Sequence, residues 1–425
     1  MLKILRKVIY KRKIILLIMI SICVLFIYFN SIIRLFHVEF DTLFNQSSTL
    51  HCSKYFEWNM SKSVLKKAED WQFPANEAFS DSQMYQRILN NCSSFLSYQK
   101  YFFTPPSNEE RKFKIAFSII SFKSASQVER LLRMIYRPWN YYCIHIDKKS
   151  SNDFISAIEE LVKCINLKSN NTINTKNRVE VEWGTMSVLT AELNCMKELY
   201  ENFKDWKYFI NLSGQEFPLK TNAELVKILK AFKGANNVEG YYKDRRNDRI
   251  PNAKIPFPII WYTGSVHITV NHDFVSFVLK SPQSKILLDS LKNQFIPEES
   301  YFSTLNYNSI LRIPGSFVGS PDENQYQDGK SGGFITRFKN SGQYSCESKY
   351  IIRQICIWGV GDLPKLTSVP NLFAHKFRED FQPATLRCLE KWYYEKVEKE
   401  IWTGRTSVNT AFYSSLPFVK YRFIP

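Results

Sequence analysis

The sequence has no glycine-rich phosphate loop: neither G-x-G-x-x-G nor G-x-x-x-x-G-K-[S/T] occurs, which removes the dinucleotide-binding and P-loop classes. The run Gly359-Val360-Gly361 is too short for either pattern and reads as a tight turn. There is no Asp-x-Asp pair to hold a divalent cation at the end of a strand, and no Cys-x-x-Cys to hold zinc. No internal repeat is present, so solenoids and propellers are out. Acid is short throughout: 40 Asp and Glu face 57 Lys and Arg, a formal charge of +17, and no acid at all precedes Arg34.

That acid-free start is informative. Lys3, Arg6, Lys7, Lys11, Arg12 and Lys13 lead into residues 14–33, an uncharged apolar block. At about 1.5 Å per residue the block is long enough to cross a hydrocarbon core, and the basic flank keeps the N-terminus cytosolic. No A-x-A-like site follows, so the block reads as an uncleaved signal anchor. The expected organisation is a cytosolic tail over 1–13, a single transmembrane helix over 14–33, a lumenal stem over 34–110 and a catalytic domain over 111–425. A lumenal domain meets no genome, and the aromatics are not interleaved with basic residues, so the surplus charge suits anionic nucleotide-sugars or acidic glycans, not nucleic acid.

Cys23 lies inside the apolar block; Cys52, Cys92, Cys143, Cys164, Cys195, Cys346, Cys356 and Cys388 lie beyond it. An even number in an oxidising compartment indicates a bridged framework, whose pairing the spacing leaves open. Sequons at Asn45, Asn59, Asn91 and Asn170 fit the same compartment, whereas Asn211 matches but falls in a run expected to be buried.

From Phe113 onward strands alternate with helices. Phe113–Ile120, Tyr141–Ile146 and Val179–Trp183 read as strands, and Gln127–Tyr136 and Asn152–Val162 as helices. A further helix from Ser187 sets Leu189, Leu193, Met196, Tyr200 and Phe203 along one face. The apolar run from Tyr208 to Leu212 then stops at Ser213 and Gly214, placing Glu216 beyond a strand's carboxyl end, where ligands of open α/β sheets sit. The pattern implies parallel pairing and a doubly wound α/β core.

The segment YFINLSGQEFPLKTN, together with YCIHIDKKS, VEWGTMS, ELNCMKELY and IWGVGDL in that order, resembles the glycosyltransferase family of the core 2 and I-branching β-1,6-N-acetylglucosaminyltransferases and the peptide O-xylosyltransferases. The likeness runs from about Phe113 to Glu398, with Glu216 standing where the family has Asp. It implies a GT-A-like nucleotide-sugar-binding domain with a mostly parallel central sheet flanked by helices, preceded by the transmembrane helix. It further implies inverting, metal-independent transfer of N-acetylglucosamine from UDP-GlcNAc to an acceptor glycan, as β-1,6 branching of O-glycans, in a type II Golgi membrane protein, with a homodimer allowed. A peptide O-xylosyltransferase using UDP-xylose and an inactive glycan-binding relative are the alternatives.

Residue by residue, the resemblance makes Glu299 the catalytic base, with Pro297 setting the register that favours it over Glu298. Arg353 and Lys376 match the basic residues that hold the diphosphate in place of a metal. Asp147, Trp183 and Glu216 fall to the UDP-sugar, and Glu239, Lys243 and Arg246 to the acceptor, the last three only across a short deletion. The Trp-x-Tyr pair that the family places before the Cys346 position is missing, and Phe334 and Phe338 are offered instead, a departure that leaves the acceptor open. The implied disulfides are Cys52–Cys388, Cys92–Cys164, Cys143–Cys195 and Cys346–Cys356. No cofactor and no metal ligand are expected.

Overall fold

The computed structural model of the protein describes residues 19–24, 50–74, 79–101, 107–243, 245–319 and 333–425. The chain divides into a unit over Met1–His51 and a unit over Cys52–Pro425. In the first, residues 19–24 are helical. The rest of the expected membrane span and the sequon Asn45 lie outside the described residues, among which no helix is long and apolar enough to cross a membrane.

The second unit is built on a six-stranded sheet of order β3-β2-β1-β4-β7-β6. Its strands are β1 (Lys114–Ser121), β2 (Tyr141–Ile146), β3 (Thr172–Asn174), β4 (Trp206–Ser213), β6 (Asn237–Val238) and β7 (Ile268–Asn271); β5 (Glu216–Pro218) lies in a second sheet. β3, β2, β1 and β4 pair in parallel, while β4–β7 and β7–β6 are antiparallel. The sheet is therefore mixed, not parallel throughout: the helical crossovers that enforce parallel pairing end at β4, and the two short strands beyond it form an antiparallel edge.

Val179–Trp183 is not a strand, because its backbone groups bond to the loop after β2 instead of to a ladder. Val179 N–H donates to His145 Nε2 at 3.0 Å, Val179 C=O accepts from Lys148 N–H, and Val181 N–H donates to Asp147 Oδ2 at 3.2 Å. The third parallel strand is Thr172–Asn174 instead.

Successive residues of β1 and β4 point to opposite faces. Phe117, Ile119, Ile210 and Leu212 pack with Val128, Leu131, Phe154, Ile158, Leu161 and Leu225 from helices Ala125–Ile135, Asn152–Asn166 and Asn222–Ala231. Ala116 and Phe209 pack the other way with Leu189, Met196, Leu199, Phe302 and Leu305 from helices Met186–Asn202 and Glu298–Tyr307. Each such large side chain contributes about 1.5–3 kcal/mol of burial. Helix Met186–Asn202 starts where Thr185 caps Ser187 N–H, and Asn152–Asn166 where Ser151 caps Phe154 N–H, so both helices begin at the strands' carboxyl ends.

All four implied disulfides are present. Packing reaches well into the stretch expected as stem: helix Asp81–Asn90 buries Met84 and Ile88 against helix Asn152–Asn166, beside the Cys92–Cys164 bridge. Asn59, Asn91 and Asn170 are exposed, whereas Asn211 is buried, its side chain bonded to Val266 C=O and Ile268 N–H.

A smaller sheet joins β5, β11 (Phe373–His375) and β8 (Arg337–Phe338), in the order β5-β11-β8. β5 runs antiparallel to β11, which sets His375 directly opposite Glu216. A hairpin of β9 (Ile351–Ile352) and β10 (Ile355–Cys356), closed by Cys346–Cys356, turns at Arg353 and Gln354.

Candidate active site

The hairpin turn holds Arg353 at φ +52° and Gln354 at φ +64°, both left-handed and neither glycine. Such residues cost on the order of 1 kcal/mol each, and strained positions of this kind cluster at ligand sites. The turn lifts the Arg353 guanidinium over the face of Trp183, 4.9 Å from its centroid. Trp183 is half exposed and meets Phe295 edge-on at 5.2 Å. Lys376 follows β11 and is half-buried; burial first, then repulsion from Arg353, Arg378 and Lys123, pushes its pKa below the ordinary lysine value. The charges that bear most on Lys376 are positive, and Arg378 is already forked onto Asp380. Arg353, Lys376 and Trp183, assigned separately from sequence, come together as two cations against an aromatic face, neither cation ion-paired among the described residues.

Asp147 stands at the edge of this cluster, at the carboxyl end of β2. Its Oδ1 accepts Lys149 N–H at 3.0 Å and its Oδ2 accepts Val181 N–H. Both oxygens face backbone donors, so the carboxylate acts here by fixing the loop that presents Trp183.

A backbone bond connects the cations to the proposed base: Ile296 N–H donates to Gly184 C=O at 2.9 Å, one residue past Trp183. Helix Glu298–Tyr307 begins two residues later, and its first turn carries both acids. They differ sharply. Glu299 keeps a quarter of its side-chain surface and is ion-paired with Arg249. Glu298 is buried, and burial pushes its carboxyl up to about 7, with Arg249 opposing weakly.

Glu239, at the end of β6, completes the second cluster. Tyr241 OH donates to its Oε1 at 2.9 Å, and Lys339 Nζ lies 3.6 Å from its Oε2. Ser303 Oγ donates to Glu239 C=O at 2.7 Å, and Gly264 N–H donates to Glu299 C=O at 2.7 Å. Gly264 has to be glycine: a Cβ there would lie 2.1 Å from the Glu239 carbonyl oxygen. Its bare backbone allows Glu239 and Glu299 to share one wall.

Other assignments move. Arg246 is exposed and forked onto Asp248 at 3.0 Å, and Lys243 lies in an exposed turn, so neither is the guanidinium or ammonium at Glu299. Arg249 takes that place. It was within reach of the sequence, because the run Arg245, Arg246, Arg249 offers a third arginine to a register that the deletion left open. Lys339 carried no sequence signal. Phe334 and Phe338 are buried, Phe338 stacked on Trp358 at 5.1 Å, so neither offers an open platform for a sugar ring.

Glu216 is the largest correction. Its side chain has no exposed surface, so it does not line the cleft that the strand-end rule predicted. Its Oε2 lies 3.0 Å from Arg337, equally buried, and its Oε1 accepts Ser213 OH at 3.1 Å. The rule fails because β5 begins at Glu216 and turns the side chain inward, against β11 and the start of β7. His267 Nδ1 and His375 Nδ1 stand 3.7 and 3.4 Å from Glu216 Oε1, and burial lowers both imidazoles below their ordinary pKa.

A sequence profile described as "Branch: Core-2/I-Branching enzyme" matches residues 115–366. The bovine β-1,3-galactosyl-O-glycosyl-glycoprotein β-1,6-N-acetylglucosaminyltransferase is 30% identical over 371 residues, covering 82% of this chain and 85% of its own length. The human protein of that name is 30% identical over 378 residues, with the same coverage of each. The mouse N-acetyllactosaminide β-1,6-N-acetylglucosaminyl-transferase is 34% identical over 321 residues, covering 71% of this chain and 77% of its own length. With the profile spanning more than half of the residues and relatives aligned along most of the rest, the chain belongs to the Core-2/I-branching enzyme family.

Proposed function

We propose that this chain is a β-1,6-N-acetylglucosaminyltransferase that moves N-acetylglucosamine from UDP-GlcNAc to a hydroxyl of an O-glycan, with inversion, holding the diphosphate through side-chain cations. The observation that carries this reading is the meeting of Arg353 and Lys376 beside Trp183, two cations without an ion-paired acid among the described residues. An anionic leaving group is what such a pair lacks. The planar guanidinium suits paired phosphate oxygens, and the ammonium adds a compact charge. Trp183, open on one face, suits a nucleoside or sugar ring.

In the proposed step Glu299 accepts the proton of the acceptor hydroxyl as that oxygen attacks the anomeric carbon. The bond from that carbon to the diphosphate oxygen breaks on the opposite face, and its electron pair passes to UDP. Arg249 holds the Glu299 carboxylate in place, and Glu239 with Tyr241 and Lys339 supplies polar contacts for the acceptor sugar. The relatives' names carry the choice of N-acetylglucosamine over xylose, and their acceptors, a β-1,3-galactosylated O-glycan and an N-acetyllactosaminide, bracket the acceptor proposed here. A Golgi lumenal placement behind the N-terminal anchor belongs to the same proposal.

The test is incubation of the purified chain with UDP-GlcNAc or UDP-xylose, without added divalent cation, against both acceptor types and a serine-rich peptide. The expected product is a β-1,6-linked N-acetylglucosamine on a glycan. Xylose on the peptide, or glycan binding with no transfer from either donor, overturns the reading.

A further inference from the structure

Behind the cationic cluster, Glu216, His267 and His375 converge from three distant parts of the chain: the first residue of β5, the residue before β7 and the last residue of β11. One carboxylate oxygen and two imidazole nitrogens lie within 4.8 Å of one another, the one such grouping of His, Cys, Asp and Glu among the described residues.

The separations are those of a coordination shell. Bonds of about 2.0–2.1 Å from a tetrahedral ion place neighbouring ligand atoms about 3.4 Å apart. Glu216 Oε1 lies 3.4 Å from His375 Nδ1 and 3.7 Å from His267 Nδ1. The widest separation, at most 4.8 Å, closes to that spacing with a movement of at most about 1.4 Å, shared between the two ligands.

The donors are also not satisfied by one another. His375 Nδ1 is buried without an aligned hydrogen bond, although Glu216 Oε1 is near. Glu216 divides its two oxygens: Oε2 faces Arg337 and Oε1 faces the imidazoles and Ser213. A carboxylate held from behind by a guanidinium has the second-shell support that metal ligands usually carry. Glu192, buried in the same interior beside Ser118, is a second acid able to offset added positive charge.

We propose that Glu216, His267 and His375 form a zinc site, its fourth position left to water, that links β5, β7 and β11 behind the cationic cluster. Two nitrogens and one oxygen suit zinc better than calcium or magnesium, which take oxygen ligands. Three protein ligands leave a fourth tetrahedral position for a water molecule, and Glu216 and His267 are buried while His375 is part-buried, so the ion would brace the strands from within the interior. The ion would sit one residue from Lys376 and hold that lysine's backbone without touching the diphosphate. It goes beyond the transfer proposed above and does not depend on it.

The test is metal analysis of the full-length chain, purified through a histidine-free tag, dialysed against micromolar zinc and then against metal-free buffer. About one zinc per chain should remain, falling below about a tenth in His267→Phe and in His375→Asn. Arg353→Ala should keep its zinc while losing UDP affinity, so failure of the metal site and failure of the donor site are told apart. If either histidine variant does not fold, cobalt loading of the unaltered chain decides: a visible absorption of tetrahedral cobalt, displaced by zinc, supports the site. Zinc in the unaltered chain no higher than in folded histidine variants, or no cobalt spectrum, overturns it.

Discussion

Two charged walls of the cleft are built on opposite plans. On one, Arg353 and Lys376 stand together with Lys123 close enough to be felt, and neither is ion-paired with an acid among the described residues. On the other, Glu299 is met by Arg249, and Glu239 by Tyr241 and Lys339, so the charges cancel within the protein. A half-buried cation beside like charges is costly to leave alone, and the natural occupant is an anion. A neutral sugar, by contrast, is best received by donors and acceptors already fixed in place, because charge left over would have to be desolvated for nothing. Under the proposed function the contrast separates a pole for the nucleotide diphosphate from a pole for the acceptor.

The strongest way to break that division is Glu299→Gln. It keeps the shape of the wall around Glu299 and removes the proposed proton acceptor, so turnover should fall on the order of 10³-fold while UDP affinity stays within about twofold. A matching loss of UDP affinity would mean the walls are not separate. Next, Arg353→Ala should weaken UDP binding by about 10- to 100-fold, and added salt should weaken it further, since the missing interaction is ionic.

Glu298 sharpens the acceptor side. Its carboxyl, ordinarily at 4.5, is raised by burial to about 7, with Arg249 the charged group facing it. The folded state therefore holds the proton more tightly than the unfolded one. The stabilisation is complete below about pH 4.5 and is lost as pH rises through about 7, a change on the order of 3 kcal/mol. Thermal melting from pH 5 to 7.5 should decline less steeply in Glu298→Gln than in the unaltered protein; an unchanged slope would contradict the buried, protonated state. Smallest of all, Arg246→Ala should alter acceptor KM by less than about twofold, because its fork to Asp248 is solvent-exposed.

The parts legible in sequence are those that local periodicity and motif order control. β1, β2 and β4 fall within a residue or two of their expected places, the helix stripe of Leu189, Leu193, Met196, Tyr200 and Phe203 packs on the core, with Leu189 and Met196 fully buried, and all four disulfides follow the family pattern. What escaped depends on contacts distant in sequence. Val179–Trp183 has the composition of a strand, yet Asp147 and His145 take its backbone groups before any ladder can. Glu216 sits beyond a strand end as expected, but it pairs with His375, 159 positions further along the chain, as β5 meets β11, and is turned inward onto Arg337 and His375. Arg249 and Lys339 reach their carboxylates across 50 and 100 positions, and no short pattern records such a distance.

Titration calorimetry of UDP binding to the full chain and to Arg353→Ala, with and without added Mn²⁺, is the most direct test of a diphosphate held by side-chain cations. The affinity should be indifferent to the added ion and at least about tenfold weaker in the variant. Binding that appears only with Mn²⁺ and ignores the loss of Arg353 would contradict it.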